Sequence, residues 1–253
     1  MTAADLIIAA RRAARGLAPL GAAAPADEAA GYAVQVAMAK RLGAMPPAGF
    51  KIGATGKQMQ AYLGIASPIA GFVLATDVFA SPARVRFADF MKPGVECEIG
   101  VRLGRDLPPG PCSTAQAEAA VADVFPAIEI VEQRYADMSA LHTPTVVADQ
   151  MFHRAGVVGA PAAGWRGLDL AALRGRMTVA GAVHGEGLGS ELLGHPMAAL
   201  AWLAGSACAA AFGGLKAGQV VFLGSVTPPH WVQGPGLVAV EFTGLGRAEL
   251  VFE

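Results

Sequence analysis

The chain has 253 residues, 54% of them hydrophobic and 15% charged, with a formal net charge of −1. That length suits one large domain, or a compact domain with a small helical N-terminal part, and is ample for a substantial core. The near-neutral charge argues against a nucleic-acid binder working through a basic face, and a charged share below the usual ~25% points to surface buried between subunits, hence a homo-oligomer.

Cys97, Cys112 and Cys208 are odd in number, far apart and outside any metal-ligand spacing. They read as reduced thiols of a cytoplasmic protein. The longest apolar run, 197–212, is interrupted by Gly205 and Ser206 and falls short of the ~20 residues a membrane span needs. No basic stretch followed by an apolar one opens the chain, and Asp5 comes early, so neither a leader nor a membrane partner is expected.

Residues 2–16 read as a helix, with Thr2 as N-cap, Asp5 three residues on, and Leu6, Ile7, Ala10 and Ala14 on one face. Arg11, Arg12 and Arg15 read as its polar face. A second helix runs from Asp27 to about residue 42 and is closed by Gly43. Pro46-Pro47 separates this helical region, 1–48, from the rest, 49–253. Gly49-Phe50-Lys51-Ile52-Gly53 reads as a short strand. Its lysine is either an edge residue reaching to water or a cation held near an anionic substrate, where charge and proton transfer are both useful. Gln58, Met59 and Tyr62 follow on a helical turn ending at Gly64, and strands are expected at 71–76, 84–87 and 95–103.

In the last of these, Glu96 and Glu98 stand two residues apart in an otherwise apolar run. On a strand they share a face, roughly 7 Å apart along the chain. A Glu-x-Glu pair is often the wet face of an antiparallel sheet. Here the acids' face reads Gly94, Glu96, Glu98, Gly100, without the Lys, Thr or Arg of a solvated strand, and the other face reads Val95, Cys97, Ile99, Val101. Burying two like charges is costly, and a hard cation removes that cost. Glu129, in the apolar run 126–131, makes a third acid in similar company. The three read as a carboxylate site for Mg²⁺ or Mn²⁺.

The capping box Ser113-Thr114-Ala115-Gln116 starts a helix expected to run to about residue 125, followed by the Glu129 strand at 127–131. Arg134, Tyr135, Asp137 and His142 fall in an irregular segment suited to walling a site. Residues 146–150 lead to His153, Arg154 and a strand at 156–159. A strand at 176–183 precedes a glycine-rich turn, whose Gly-x-Gly lacks the context of a dinucleotide fingerprint. His195 reads as the start of an apolar helix over about 197–211 containing Trp202. A strand at 219–223 ends in Gly224-Ser225, suited to a carboxylate or to an ordinary turn. Strands at 237–242 and 248–252 form a closing hairpin.

Together, Lys51-Ile52-Gly53, Glu96-Cys97-Glu98-Ile99, Leu103-Gly104-Arg105-Asp106-Leu107-Pro108, Pro126-Ala127-Ile128-Glu129, Ala148-Asp149 and Leu193-Gly194-His195-Pro196 with Ala201-Trp202-Leu203-Ala204 resemble the 2-keto-4-pentenoate hydratase and 4-oxalocrotonate decarboxylase family of the fumarylacetoacetate hydrolase superfamily. The resemblance covers nearly the whole chain. It implies an α+β fold, with a small helical N-terminal part followed by a mixed β-roll of the fumarylacetoacetate hydrolase type. It implies a divalent metal on Glu96, Glu98 and Glu129, matches Lys51 to an active-site lysine, and implies a cytoplasmic oligomer acting on small 2-oxo acids. The sequence departs from the pattern in four places. Thr76 stands where an acid is common, Asp149-Gln150 replaces an Asp-Asn pair, Met151, Phe152, His153 and Arg154 replace small residues, and the bulky His230 and Trp231 follow the Gly224-Ser225 turn.

The chemistry expected is hydration of a 2-hydroxydienoate or 2-oxo-enoic acid through a metal-stabilised enolate. Lys51 and Asp149 would move protons, and Gln150 and Ser225 would contact substrate. A 2-oxo acid decarboxylase and a C–C bond hydrolase use the same enolate. A catalytically silent partner subunit is the non-enzyme alternative.

Overall fold

The computed structural model describes residues 1–137 and 141–253. Helix α1 (Ala3–Arg12) begins at the expected capping box: the Thr2 hydroxyl accepts the Asp5 amide, and the Asp5 carboxylate accepts the Thr2 amide at 2.9 Å. Helix α2 (Glu28–Arg41) starts at Asp27, whose side chain accepts the Ala30 amide at 2.8 Å. Arg11 is not part of the polar face of α1. It lies four residues after Ile7 on the buried stripe and is only 8% exposed.

The elements that follow are β1 (Gly49–Gly53), α3 (Lys57–Leu63), β2 (Ile69–Val73), β3 (Val78–Ala80), β4 (Ala83–Val85), β5 (Pro93–Leu103), α4 (Thr114–Ala120), β6 (Val121–Glu132), α5 (Thr143–Ala148) and β7 (His153–Val158). After these come β8 (Arg174–Val179), β9 (Ala182–Leu188), α6 (Pro196–Ala204), α7 (Ala207–Ala211), β10 (Val220–Ser225), β11 (His230–Trp231), β12 (Gly236–Phe242) and β13 (Gly246–Phe252).

Several elements differ from the sequence reading: the strand expected at 71–76 is β2 and ends at Val73, and β3, α5 and β11 were not expected. Helix α4 stops at Ala120, and its continuation becomes strand β6, because Val121 pairs with Leu103 and the β-branched Val121 and Val124 pack in the core. The glycine-rich stretch before residue 189 is strand β9, paired with β8. The helical stretch Gly189–Ala211 is apolar enough by composition to cross a membrane. It is broken at Gly205, and Ser206 caps the next helix by accepting the Ala209 amide at 3.2 Å. Half of its most apolar window is buried inside the fold.

The larger sheet has the order β2-β1-β10-β5-β6-β7-β3, with β11 added on β5. It is mixed: β1 runs parallel to β10, β3 runs parallel to β7, and the other pairs are antiparallel. The smaller sheet has the order β4-β13-β12-β8-β9. Val95, Cys97, Ile99 and Val101, all fully buried, join Met177, Val238, Val240 and Leu250 of the smaller sheet in one core. Full burial of such aliphatic side chains stabilises by about 1.5–3 kcal/mol each.

The outer edge of β2 would present unpaired backbone groups. Gln35 of α2, fully buried, closes it: its amide donates to Ala70 O at 3.0 Å and Val147 O at 2.6 Å, and its oxygen accepts the Phe72 amide at 3.2 Å. One glutamine thereby fastens the helical region to the edge of the sheet.

Candidate metal and active site

The register of β5 and β6 builds the acid cluster. Glu96 lies directly opposite Glu129, and Glu98 lies opposite Ala127 on the same face. Each glutamate offers one oxygen, and the three oxygens lie within 4.8 Å of one another. Glu98 and Glu129 are fully buried, while Glu96 is partly exposed, so the cluster meets solvent on the Glu96 side. There Trp231 lies against Gly94, its ring 2.9 Å from where a Cβ would stand.

Each buried acid has one oxygen occupied by protein donors and one left bare. Glu98 Oε2 accepts the Gly224 amide at 3.0 Å, and Oε1 has no partner. Gly224 has φ 110, and a Cβ there would meet Thr55 Oγ1 at 2.6 Å, so only glycine can aim that amide. Glu129 Oε1 receives both Lys51 Nζ at 3.1 Å and His153 Nδ1 at 2.7 Å, and Oε2 has no partner.

Burial, then the charge of Glu129, pushes the Glu96 carboxyl up to about 8. Burial, then the charges of Glu129 and Glu96, raises Glu98 well above the carboxylate range. For Glu129 burial acts upward, but Lys51 and His153 outweigh it and hold the group low. Burial lowers His153, so it is neutral at pH 7. Fully ionised, three carboxylates beside one ammonium would carry two net negative charges, which a divalent cation would balance in place of the protons that burial otherwise holds on Glu96 and Glu98. An all-oxygen donor set suits the hard ions Mg²⁺, Ca²⁺ and Mn²⁺.

Lys51 is no edge lysine. Its strand is flanked by β2 on one side and β10 on the other, Lys51 is 1% exposed, and its ammonium also donates to Met151 O at 3.2 Å. Asp149 is fully buried with both oxygens taken by Arg134, Nε to Oδ2 at 3.2 Å and Nη2 to Oδ1 at 2.7 Å. Arg134 Nη1 also donates to Glu132 Oε2 at 2.9 Å. Gln150 is likewise engaged by protein, its oxygen accepting from Arg11 and its amide donating to Phe72 O. The Ser225 hydroxyl donates to Thr227 O at 2.7 Å and accepts the Thr227 amide at 3.2 Å, closing a turn. Asp149, Gln150 and Ser225 are each held by hydrogen bonds within the protein.

Sequence reasoning placed Arg134 in a wall of the site without its partners Asp149 and Glu132, and missed His153, Glu132 and Arg11 as parts of this constellation. Arg11 could have been found from its i+4 spacing to Ile7, and Glu132-x-Arg134 from its continuation of the Glu129 strand. His153 carried no such signal. It is delivered by three successive non-glycine residues with positive φ, Gln150 (55), Met151 (49) and Phe152 (65), each costing roughly 1–2 kcal/mol.

Residues 48–252 match the fumarylacetoacetate (FAA) hydrolase C-terminal family. The chain belongs to this family. It is 31% identical over 244 residues to a 2-keto-4-pentenoate hydratase of Paraburkholderia phymatum, covering 93% of this chain and 90% of that protein. It is 34% identical over 209 residues to a 2-hydroxyhexa-2,4-dienoate hydratase of Comamonas testosteroni, covering 77% of this chain and 78% of that one. Among solved structures it superimposes on 4-oxalocrotonate decarboxylase from Pseudomonas putida G7, complexed with magnesium and adipate. The TM-score is 0.90 at 26% identity, over 99% of this chain and 96% of that one. The α+β architecture, a helical part followed by mixed sheets, is thus that of the fumarylacetoacetate hydrolase fold.

Proposed function

We propose that this chain is a divalent-metal-dependent hydratase acting on a 2-hydroxydienoate, the corresponding 2-oxo-enoic acid being the species hydrated. The observation that carries the reading is the pair of bare, fully buried oxygens, Glu98 Oε1 and Glu129 Oε2, beside a buried lysine. The names of the hydratases to which the chain is about 31% identical support it. Glu96, Glu98 and Glu129 would hold the ion, with Mg²⁺ the first choice. The ion, when bound, supplies Lewis-acid stabilisation of negative charge developing on the C2 oxygen of a 2-oxo acid.

The chain's own groups do the rest. Lys51 directs two of its three N–H bonds to Glu129 and Met151, which leaves the third for a substrate oxygen or for proton delivery. Ketonisation moves the enol proton to the far end of the diene. Water then adds its oxygen to the β-carbon of the enone, and a proton returns to the α-carbon. Lys51 is the proposed partner for that proton traffic. Asp149, with Arg134, fixes the chain that enters the site, and Gln150 and Ser225 hold its backbone frame.

A second reading, 2-oxo acid decarboxylation, has its own support in the likeness to 4-oxalocrotonate decarboxylase. The deciding assay follows loss of dienol absorbance for 2-hydroxypenta-2,4-dienoate with Mg²⁺, and CO₂ release from a dicarboxylic 2-oxo acid. Hydration in the first and none of the second is expected, with Glu98→Gln abolishing turnover. CO₂ release alone would replace the reading by the second. Bound ion without turnover of either would identify a silent subunit.

A further inference from the structure

Glu129 Oε1 already has the Lys51 ammonium as a donor, and yet a second donor, His153 Nδ1, arrives at 2.7 Å. His153 is fully buried, and its other nitrogen, Nε2, has no partner. Burying an imidazole with one nitrogen unsatisfied is unfavourable, and an apolar side chain beside Phe222 would avoid that cost. The backbone leading to it is unfavourable too, with Gln150, Met151 and Phe152 all in the left-handed region. The same detour places Met151 O on Lys51 Nζ at 3.2 Å. One strained segment therefore reaches both Lys51 and Glu129, and strain of this kind persists where surrounding structure holds it at a site.

We propose that His153 is a positioning residue of the metal site: by donating from Nδ1 to Glu129 Oε1, it locks that carboxylate so that Oε2 alone is presented to the ion. The inference rests on the metal reading above. Two donors from different strands, Lys51 on β1 and His153 on β7, prevent the carboxylate from rotating unless both bonds break. With His153 gone, the single ammonium can follow Glu129 as it turns, and the bare oxygen is no longer fixed beside Glu96 and Glu98. Because Glu129 accepts, Nδ1 carries the proton, and Nε2 is left as the unprotonated nitrogen.

The test is Mn²⁺ binding by the full chain stripped of metal with a chelator, read from free Mn²⁺ by electron paramagnetic resonance. His153→Phe keeps a ring beside Phe222 but removes the donor. It is expected to weaken binding on the order of 10- to 100-fold, the usual effect of losing a group that orients a ligand. His153→Asn puts an amide N–H near the Nδ1 position and is expected to bind within about threefold of wild type, far less than that loss. A folded Phe variant that binds as tightly as wild type, or an Asn variant as weak as Phe, overturns the proposal. Nitrogen-15 spectra of the wild type give a check independent of any variant: the Nδ1–H tautomer is expected at His153, and the Nε2–H tautomer overturns the assignment. A wild-type chain that takes up no divalent ion would overturn the metal reading itself. Normal uptake by wild type and by the Phe variant would overturn only the role of His153.

Discussion

Stripping the metal and then raising the pH tests the acid cluster through stability alone. In an unfolded chain Glu96 ionises near the ordinary glutamate value of 4.5, whereas in the fold burial, then the charge of Glu129, pushes it up to about 8. Between those values the folded protein holds a proton that the unfolded chain has released. Stability therefore falls as pH rises through the window. Glu98, raised by burial and by its two neighbours, acts in the same direction. Glu129 is held low, so it ionises below the window and adds no slope within it. The full Glu96 displacement corresponds to ~5 kcal/mol. Because Glu96 is partly exposed, screening reduces this to about 2–4 kcal/mol, or roughly 4–16 °C in melting temperature for a protein of this size. Saturating Mg²⁺, which on this reading would bind only the folded, ionised cluster, is expected to flatten the loss. Thermal melts with chelator and with Mg²⁺, between about pH 5 and 9, give both curves. A metal-free melting temperature that stays level or climbs across that window refutes the charge reasoning.

Lys51→Met is expected to lower kcat by about 10²- to 10⁴-fold. It should leave Mn²⁺ binding equal or tighter, because a positive charge beside the ion is removed; much weaker binding would recast Lys51 as a prop for Glu129. Arg134→Met leaves Asp149 and Glu132 buried without their cation. It is expected to cost about 3–5 kcal/mol, seen as a lower urea midpoint, and a midpoint within error of wild type would mean that the pairs contribute little. Ser225→Ala removes a hydroxyl that the turn already occupies on both sides. KM is expected to change by less than about threefold, since the turn holds the hydroxyl on both sides, and a tenfold rise would show that Ser225 contacts substrate.

The acids were legible in the sequence because strand alternation is strict: Glu96 and Glu98 had to share a face, and small or apolar neighbours said that the face was dry. The helix starts at Thr2, Asp27 and Ser113 were legible for a similar reason, since each cap is a local bond between residues three apart. What stayed hidden depends on partners far away in the chain. Lys51 could be read as an edge residue because nothing near it reveals that β10, more than 150 residues later, covers its strand. The boundary at Ala120 was lost because alanine spacing stays helical into β6, and only pairing with β5 turns it to strand. That Arg134 occupies both oxygens of Asp149 was equally hidden, because the pairing depends on how the segment after β6 folds back. The left-handed run at 150–152 has no glycine to announce it.

The most direct measurement is a crystal of the chain soaked in Mn²⁺, with data collected at the manganese absorption edge. One anomalous peak within bonding distance of Glu96, Glu98 and Glu129, at about 2.0–2.6 Å for a hard cation on oxygen, is expected. A peak elsewhere, or none at these three side chains, would contradict the assignment of this cluster as the metal centre.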